Sequence, residues 1–290
     1  MKIPKRLQPL YNDGLIDEVV SALMSGKEAS VYVVRCGKTL RAAKVYKDAA
    51  KRSFKKAVTY QEGRKVRNSR RQRAMEKGSK FGRDQQEEAW QRAESDSLIR
   101  LAKAGVRVPA SYGCYDGVLL MDLVCMEDGS VAPRLNDVSM DAEQAREDHA
   151  VMMQYILRML YAGMVHGDLS EFNVLVDDYG PVIIDLPQAV DAAANNHAKS
   201  MLERDVNNMT EYYGQYAPEL LRTNYAKEMW ALYEDGDLTA DTILTGLFEE
   251  ATESADVDSV MHEIREVLAE ERKRKEREAN ADDNYTYEEL

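Results

Sequence analysis

The stretch ASVYVVRCGKTLRAAKVYK holds two apolar, β-branched runs, 31–35 and 41–46, split by a short turn containing Gly37, and so predicts two paired strands. GVLLMDLV, at 117–124, predicts a buried strand, and DGSVAPR after it a loop. Helical periodicity appears over 84–104 and stops at Gly105, a residue suited to ending a helix. It returns from about Asp141 to Gly163, where Ala145, Met152, Ile156, Met159 and Leu160 recur at three-to-four spacing. Two short apolar strands follow, 174–176 and 182–184. Beyond His197 the pattern is helical, with a last amphipathic segment through Val257, Val260, Met261, Ile264 and Leu268.

This order predicts an α+β fold of two lobes, strand-rich and then mainly helical, joined near Met121 to Val124. The expected division is an N-terminal extension 1–22, an N-lobe 23–124 with an insertion 47–83, a C-lobe 125–250 and a charged tail 251–290. The tail ends in ANADDNYTYEEL, whose composition predicts disorder. No internal repeat is visible.

At 290 residues and 44% hydrophobic the chain has ample material for such a core. The apolar runs fall far short of the ~20 residues that cross a bilayer, and the N-terminus has no signal-like apolar core. A cytoplasmic protein with no membrane contact is expected. Cys36, Cys114 and Cys125 read as reduced thiols. The four histidines are too scattered for a zinc cage. The net charge of −12 is unevenly spread. Between Lys47 and Arg83 there are fourteen Lys or Arg against three acids, so this block carries +11 and the remainder −23.

The densest candidate chemistry is HGDLSEFNVLVDDYGPVIIDLPQAV, at 166–190. Asp and Asn often flank strands as turn-formers, which explains Asp177 and Asp178 but not Asp185 after three apolar residues. Phosphoryl transfer from a nucleotide needs one carboxylate to orient and deprotonate the acceptor. It also needs an amide and a second carboxylate to hold a divalent cation on the phosphates. Asp168 and Asn173 have the Asp-x-x-x-x-Asn spacing of a catalytic loop. A hairpin over 174–184 would return Asp185 to Asn173, so that both reach one metal. His166 reads as a residue packing this loop, because Asp168 already fills the position of the base.

Upstream, Lys44 lies inside a strand. It either runs its stem out to solvent or reaches nucleotide phosphates. On the 84–104 helix, Trp90, Leu98 and Leu101 form an apolar stripe with Glu94 between them. An inward carboxylate is costly unless paired, and Lys44 is a natural partner. SGKEASVY, before the first strand, supplies backbone N–H groups for covering phosphates, although it is neither GxxxxGK[ST] nor GxGxxG. Asp205 stands beside Leu202, Val206 and Met209 on an apolar helical face. It is either a charge at the edge of that face or an acceptor for the backbone of the 166–168 loop.

With SGKEASVY, AAKVYK, AGVRVP, VLLMDLV, APRLNDV, HGDLSEFNVLV and IIDLPQAVD in that order, the chain resembles the RIO family of atypical serine protein kinases. The likeness covers 23–213 and is nearest to the first RIO subfamily and its bacterial members. The residues ahead of Ser25 leave no room for the winged-helix domain of the second subfamily. The resemblance implies a two-lobed, protein-kinase-like fold that uses ATP with Mg²⁺, or Mn²⁺ in its place. Asp168 would be the catalytic aspartate, with Asn173 and Asp185 as metal ligands and Lys44 paired to Glu94. Ser25, Gly26, Lys27, Glu28, Ala29, Ser30 and Val31 would cover ATP, and Met121, Asp122 and Val124 would form the adenine-facing hinge. It also implies serine phosphorylation of protein, including the chain itself. ATPase activity, with Asp185 as phosphoryl acceptor in an ATP-gated assembly factor, is the alternative.

Gly167 replaces the Arg of His-Arg-Asp, and Leu186-Pro187 replace the Phe-Gly after the metal aspartate. Ala217–Glu219 spells APE, but Pro218 reads better as the first residue of a new helix, so an activation segment is not expected. His-Gly-Asp also fits aminoglycoside- and choline-kinase-like phosphotransferases, whereas Ser170, Glu171, Phe172 and the LPQA run favour RIO. Because all the lysine and metal positions are filled, a non-catalytic scaffold is disfavoured. The basic block 47–83 is either a solvated face or an arm for RNA or a ribosomal particle.

Overall fold

The computed structural model describes residues 2–26, 29–47 and 80–248, of which 80–91 by backbone alone. Lys27, Glu28, most of the basic block and the whole of the 251–290 tail lie outside the described residues, as does the side chain of Trp90.

β1 (Glu18–Ser25), β2 (Ala29–Cys36), β3 (Thr39–Tyr46), β4 (Ser111–Tyr115) and β5 (Val118–Asp122) form one antiparallel sheet in the order β1-β2-β3-β5-β4. Alternation along β3 gives the sheet its two functions. Ala43 and Val45 face one way and are buried with Val34, Val118 and Leu120 beneath Leu7, Leu10, Ile16 and Val19. Lys44 and Tyr46 face the other way, toward α2 (Lys80–Lys103). The segment expected to stand ahead of the lobe is thus part of it. A short helix, α1 (Gln8–Asn12), brings in Leu10, and the first strand starts at Glu18. Burying a Leu or Ile side chain contributes about 1.5–3 kcal/mol, which is reason enough for the chain to fold back over the sheet.

α3 (Ala142–Tyr161) and α4 (Ala198–Gly214) build the helical lobe, with α5 (Tyr225–Asp235) beside them. The Asp141 carboxylate caps α3 by accepting the N–H groups of Glu143 and Gln144 at 3.0 and 2.9 Å. Met152, Met153, Leu157 and Leu160 of α3 are buried in one core with Leu202, Val206, Met209 and Tyr213 of α4.

Between α3 and α4 the chain makes two small antiparallel pairs, in the stretch that holds the candidate residues Asp168, Asn173 and Asp185. β6 (Met164–Val165) pairs with β9 (Val190–Asp191), and β7 (Val174–Asp177) pairs with β8 (Gly180–Ile183). Only residues 192–197 separate β9 from α4, so the chain enters the helix with no room for an activation segment. Pro218 opens a 3-10 turn, Pro218–Arg222. The architecture is α+β and two-lobed, as expected.

Candidate active site

Lys44 Nζ donates to Glu94 Oε1 at 2.6 Å and Oε2 at 2.9 Å, and to Asp185 Oδ1 at 2.6 Å. Glu94 is buried on α2 with Leu98 and Leu101, the stripe on which its pairing was expected. Burial pulls the Lys44 ammonium toward neutrality, but the two carboxylates outweigh it and its pKa is raised, so the amine stays charged. Burial pushes the Asp185 carboxyl up, and Lys44 more than reverses that, leaving it below its usual value. Asp185 also keeps 44% of its side chain open to solvent. Its backbone is left-handed, at φ 67°, a conformation that Asp tolerates better than most residues.

The hairpin brings Asp185 to Asn173 through the backbone. Val174 pairs with Ile183, and the Ile184 N–H donates to the Asn173 carbonyl at 3.0 Å. Asn173 Nδ2 donates to the Asp168 carbonyl at 2.8 Å. That bond turns the amide nitrogen inward, and the amide oxygen is the end that can ligate a cation. Gln188 Nε2 reaches Asp168 Oδ2 at 3.3 Å.

His166 is buried, with Nε2 3.1 Å from the Ile184 carbonyl. A carbonyl only accepts, so Nε2 carries the hydrogen and Nδ1 is free to accept the Asp168 N–H at 3.3 Å. The ring spans the Asp168 loop and the strand leading to Asp185, in keeping with a packing residue.

Asp205 settles between its two readings. It is 1% exposed, and its carboxylate accepts the N–H groups of Gly167 at 2.7 Å and Leu169 at 3.0 Å. Asn208 Nδ2 donates to the Leu169 carbonyl at 2.8 Å, and Arg204 donates to the Gly167 carbonyl. The Gly167 backbone is left-handed (φ 82°), which suits glycine in this turn. Burial pushes the Asp205 carboxyl up to about 6, against His166 and the two amide donors.

At the junction of the lobes the Asp122 N–H donates to the Ala110 carbonyl at 2.9 Å, and Ala132 N–H to the Val124 carbonyl at 3.0 Å. Met121, the last residue but one of β5, lies opposite Ala42. In the turn between β1 and β2, Gly26 N–H donates to the Ala29 carbonyl at 2.9 Å, the Ser25 and Ser30 hydroxyls lie 3.1 Å apart, and Lys47 donates to the Gly26 carbonyl. Val31 lies beside Lys44 in the sheet.

Sequence reasoning missed three contributors. Tyr46 donates its hydroxyl to Glu94, yet a tyrosine in an apolar strand reads as core. Gln188 sits in a quoted motif without a distinguishing neighbour. Arg107 forks onto Asp177 at 3.0 and 2.6 Å, and its own carbonyl accepts the Ile183 N–H at 2.9 Å. It thereby ties the β7–β8 hairpin to the linker after α2. Here AGVRVP offered a basic residue next to a glycine stop, but nothing local named Asp177 as its partner.

A RIO domain model matches residues 30–226. The RIO-type serine/threonine-protein kinase Rio1 of Haloferax volcanii is 34% identical over 207 residues, covering 70% of this chain and 66% of that protein. Serine/threonine-protein kinase RIO1 of Homo sapiens is 29% identical, over 79% of this chain but 39% of its own length. The Rio1 kinase of Methanocaldococcus jannaschii is 32% identical, over 68% of this chain and 63% of its own. The chain thus spans less than two thirds of the length of these relatives. Among solved structures, the PknI kinase domain of Mycobacterium tuberculosis aligns at 13% identity over 77% of this chain and 92% of its own, with a TM-score of 0.41. The match over residues 30–226, well over half of the chain, places this protein in the RIO domain family.

Proposed function

We propose that this chain is an ATP-dependent protein serine kinase of RIO type. The observation that carries the reading is Lys44 held between Glu94 and Asp185, with Asn173 bonded through its carbonyl to Ile184, the residue before Asp185, and through its side-chain amide to the Asp168 carbonyl. Asp168 accepts the proton of a serine hydroxyl, and Gln188 and the His166–Asp205 scaffold orient it. Lys44 neutralises charge on the nucleotide phosphates. The Asp122 carbonyl and Val124 N–H offer an acceptor and a donor to an adenine edge, and the 25–31 turn covers the phosphates. Asn173 and Asp185 would hold a divalent cation. Two side-chain oxygens suit Mg²⁺, with Mn²⁺ the alternative, because such a cation completes its shell with phosphate and water oxygens. When bound it supplies charge neutralisation at the transferred phosphoryl group. Catalysis on this reading is positioning and electrostatics.

The test is transfer of label from γ-labelled ATP to protein, scanned over Mg²⁺ and Mn²⁺. Acid-stable phosphoserine supports the kinase. Label that hydroxylamine removes, accompanied by slow phosphate release, would instead favour an ATPase with Asp185 as the acceptor, in an ATP-gated assembly factor.

The +11 of residues 47–83 supports attraction to RNA or a ribosomal particle. Deleting 51–80 should weaken RNA binding at low salt and leave ATP binding intact; unchanged RNA affinity would remove this partner. No helix among the described residues is long and apolar enough to cross a membrane, and the cytoplasm is the compartment we assign.

A further inference from the structure

Tyr46 lies two residues beyond Lys44 on β3, so both side chains leave the same face of the strand. The ring is 2% exposed and belongs to the core that holds Leu98, Leu101 and Leu119. Phenylalanine would fill that volume without needing a partner, whereas a buried phenol must find one. The hydroxyl donates to Glu94 Oε2, the oxygen that also takes Lys44 at 2.9 Å, and the ammonium stands 5.5 Å from the ring centroid, within reach of the π face. Burial, with Glu94 beside it, raises the phenol well above its usual pKa, so it stays a donor.

An ammonium has three hydrogens, and the described bonds of Lys44 number three, two to Glu94 and one to Asp185. If Lys44 serves phosphates and Asp185 a cation, both incoming groups compete with the Lys44–Asp185 bond. Glu94, 1% exposed, then depends on whatever else holds it. We propose that Tyr46 is a positioning residue for phosphoryl transfer, its hydroxyl holding Glu94 and helix α2 in place while Lys44 exchanges Asp185 for phosphate oxygens. This rests on the assignment of Lys44 and Asp185 made above.

The test is a double-mutant cycle on kcat and KM for ATP, using the wild type, Tyr46→Phe, Glu94→Met and the double variant, with Lys44→Met in parallel. Tyr46→Phe should lower kcat/KM for ATP roughly tenfold, about the weight of one hydrogen bond to a charged group, with the melting temperature within a few degrees of wild type. In the Glu94→Met background the same change should cost less than about twofold, because coupled residues are not additive. Wild-type kinetics in Tyr46→Phe would overturn the proposal, as would an equal loss in both backgrounds. If Tyr46→Phe does not fold, 3-fluorotyrosine at position 46 keeps the ring and alters only the donor. A change in kcat/KM that disappears with Glu94→Met supports the role, and no change overturns it. Activity retained in Lys44→Met would bring down the site assignment and this proposal with it. An inactive Lys44→Met beside an unaltered Tyr46→Phe would remove the role of Tyr46 alone.

Discussion

Lys44 and Asp185 are 141 positions apart in the chain and meet at 2.6 Å, one on a strand of the sheet and the other just past the hairpin of the helical lobe. This ion pair joins the strand-rich lobe directly to the helical one. On the proposed reading it also sets up a competition, because a cation would seek the Asp185 carboxylate and phosphates the Lys44 ammonium.

Asp185→Asn should therefore separate two affinities. Binding of Mg-ATP should weaken by at least about tenfold, since on the proposed reading the cation loses a charged ligand. ATP in the presence of a chelator should bind within about threefold of wild type. Calorimetric titrations with and without Mg²⁺ measure both. Equal losses in the two conditions would show that Asp185 does not act on the metal.

Asp205 has a pH signature. Its folded pKa of about 6 lies above the reference 3.8, so the fold binds this proton more tightly than the unfolded chain does. Its contribution to stability is full below about pH 4 and declines as pH rises through 6. His149, buried and lowered to about 4 by desolvation, acts with the opposite sign across the same window. The wild-type profile alone therefore mixes the two. Subtracting the Asp205→Asn profile isolates the carboxyl: the difference in unfolding free energy should fall by about 1–3 kcal/mol from pH 4 to 7. A flat or rising difference contradicts the assignment. At pH 7 the same variant should also lose turnover, because one of the Gly167 and Leu169 N–H groups loses its acceptor.

Arg107 tests whether the hairpin is held from outside. Arg107→Ala leaves Asp177, whose side chain is 8% exposed, without its fork. The expected cost is about 1–3 kcal/mol in chemical denaturation, together with a weaker Mg-ATP affinity as Asn173 and Asp185 lose their register. Arg107→Lys should recover only part of either loss, since an ammonium cannot make the paired bonds of a guanidinium. Full recovery by lysine would reduce the interaction to simple charge.

How far the sequence could be read follows from where each signal resides. Asp168, Asn173 and Asp185 were legible because their spacing and the apolar strands between them lie within a single short stretch. Glu94 was legible as a charge on an apolar stripe, a local anomaly that demands a partner. Asp205 was the same kind of anomaly, but its partners are backbone groups of Gly167 and Leu169, which carry no residue-type signature. β1 escaped because only Val19 of its eight residues is buried, so no alternation marks it. β4, with Gly113 at φ 112° and a register shift between Ser111 and Gly113, lacks an apolar face as well. Tyr46 and Arg107 were hidden because side chains that look ordinary in their own segments find their partners 48 and 70 positions away.

The claim on which the rest depends is that Asp168 performs the transfer without being needed to bind the nucleotide. The most direct measurement compares wild type with Asp168→Asn for label transfer from γ-labelled ATP and, on the same preparations, for Mg-ATP affinity. In Asp168→Asn, transfer should fall by at least about a thousandfold while the affinity stays within about threefold. Transfer at the wild-type rate in Asp168→Asn, or no Mg-ATP binding by the wild type, would contradict it.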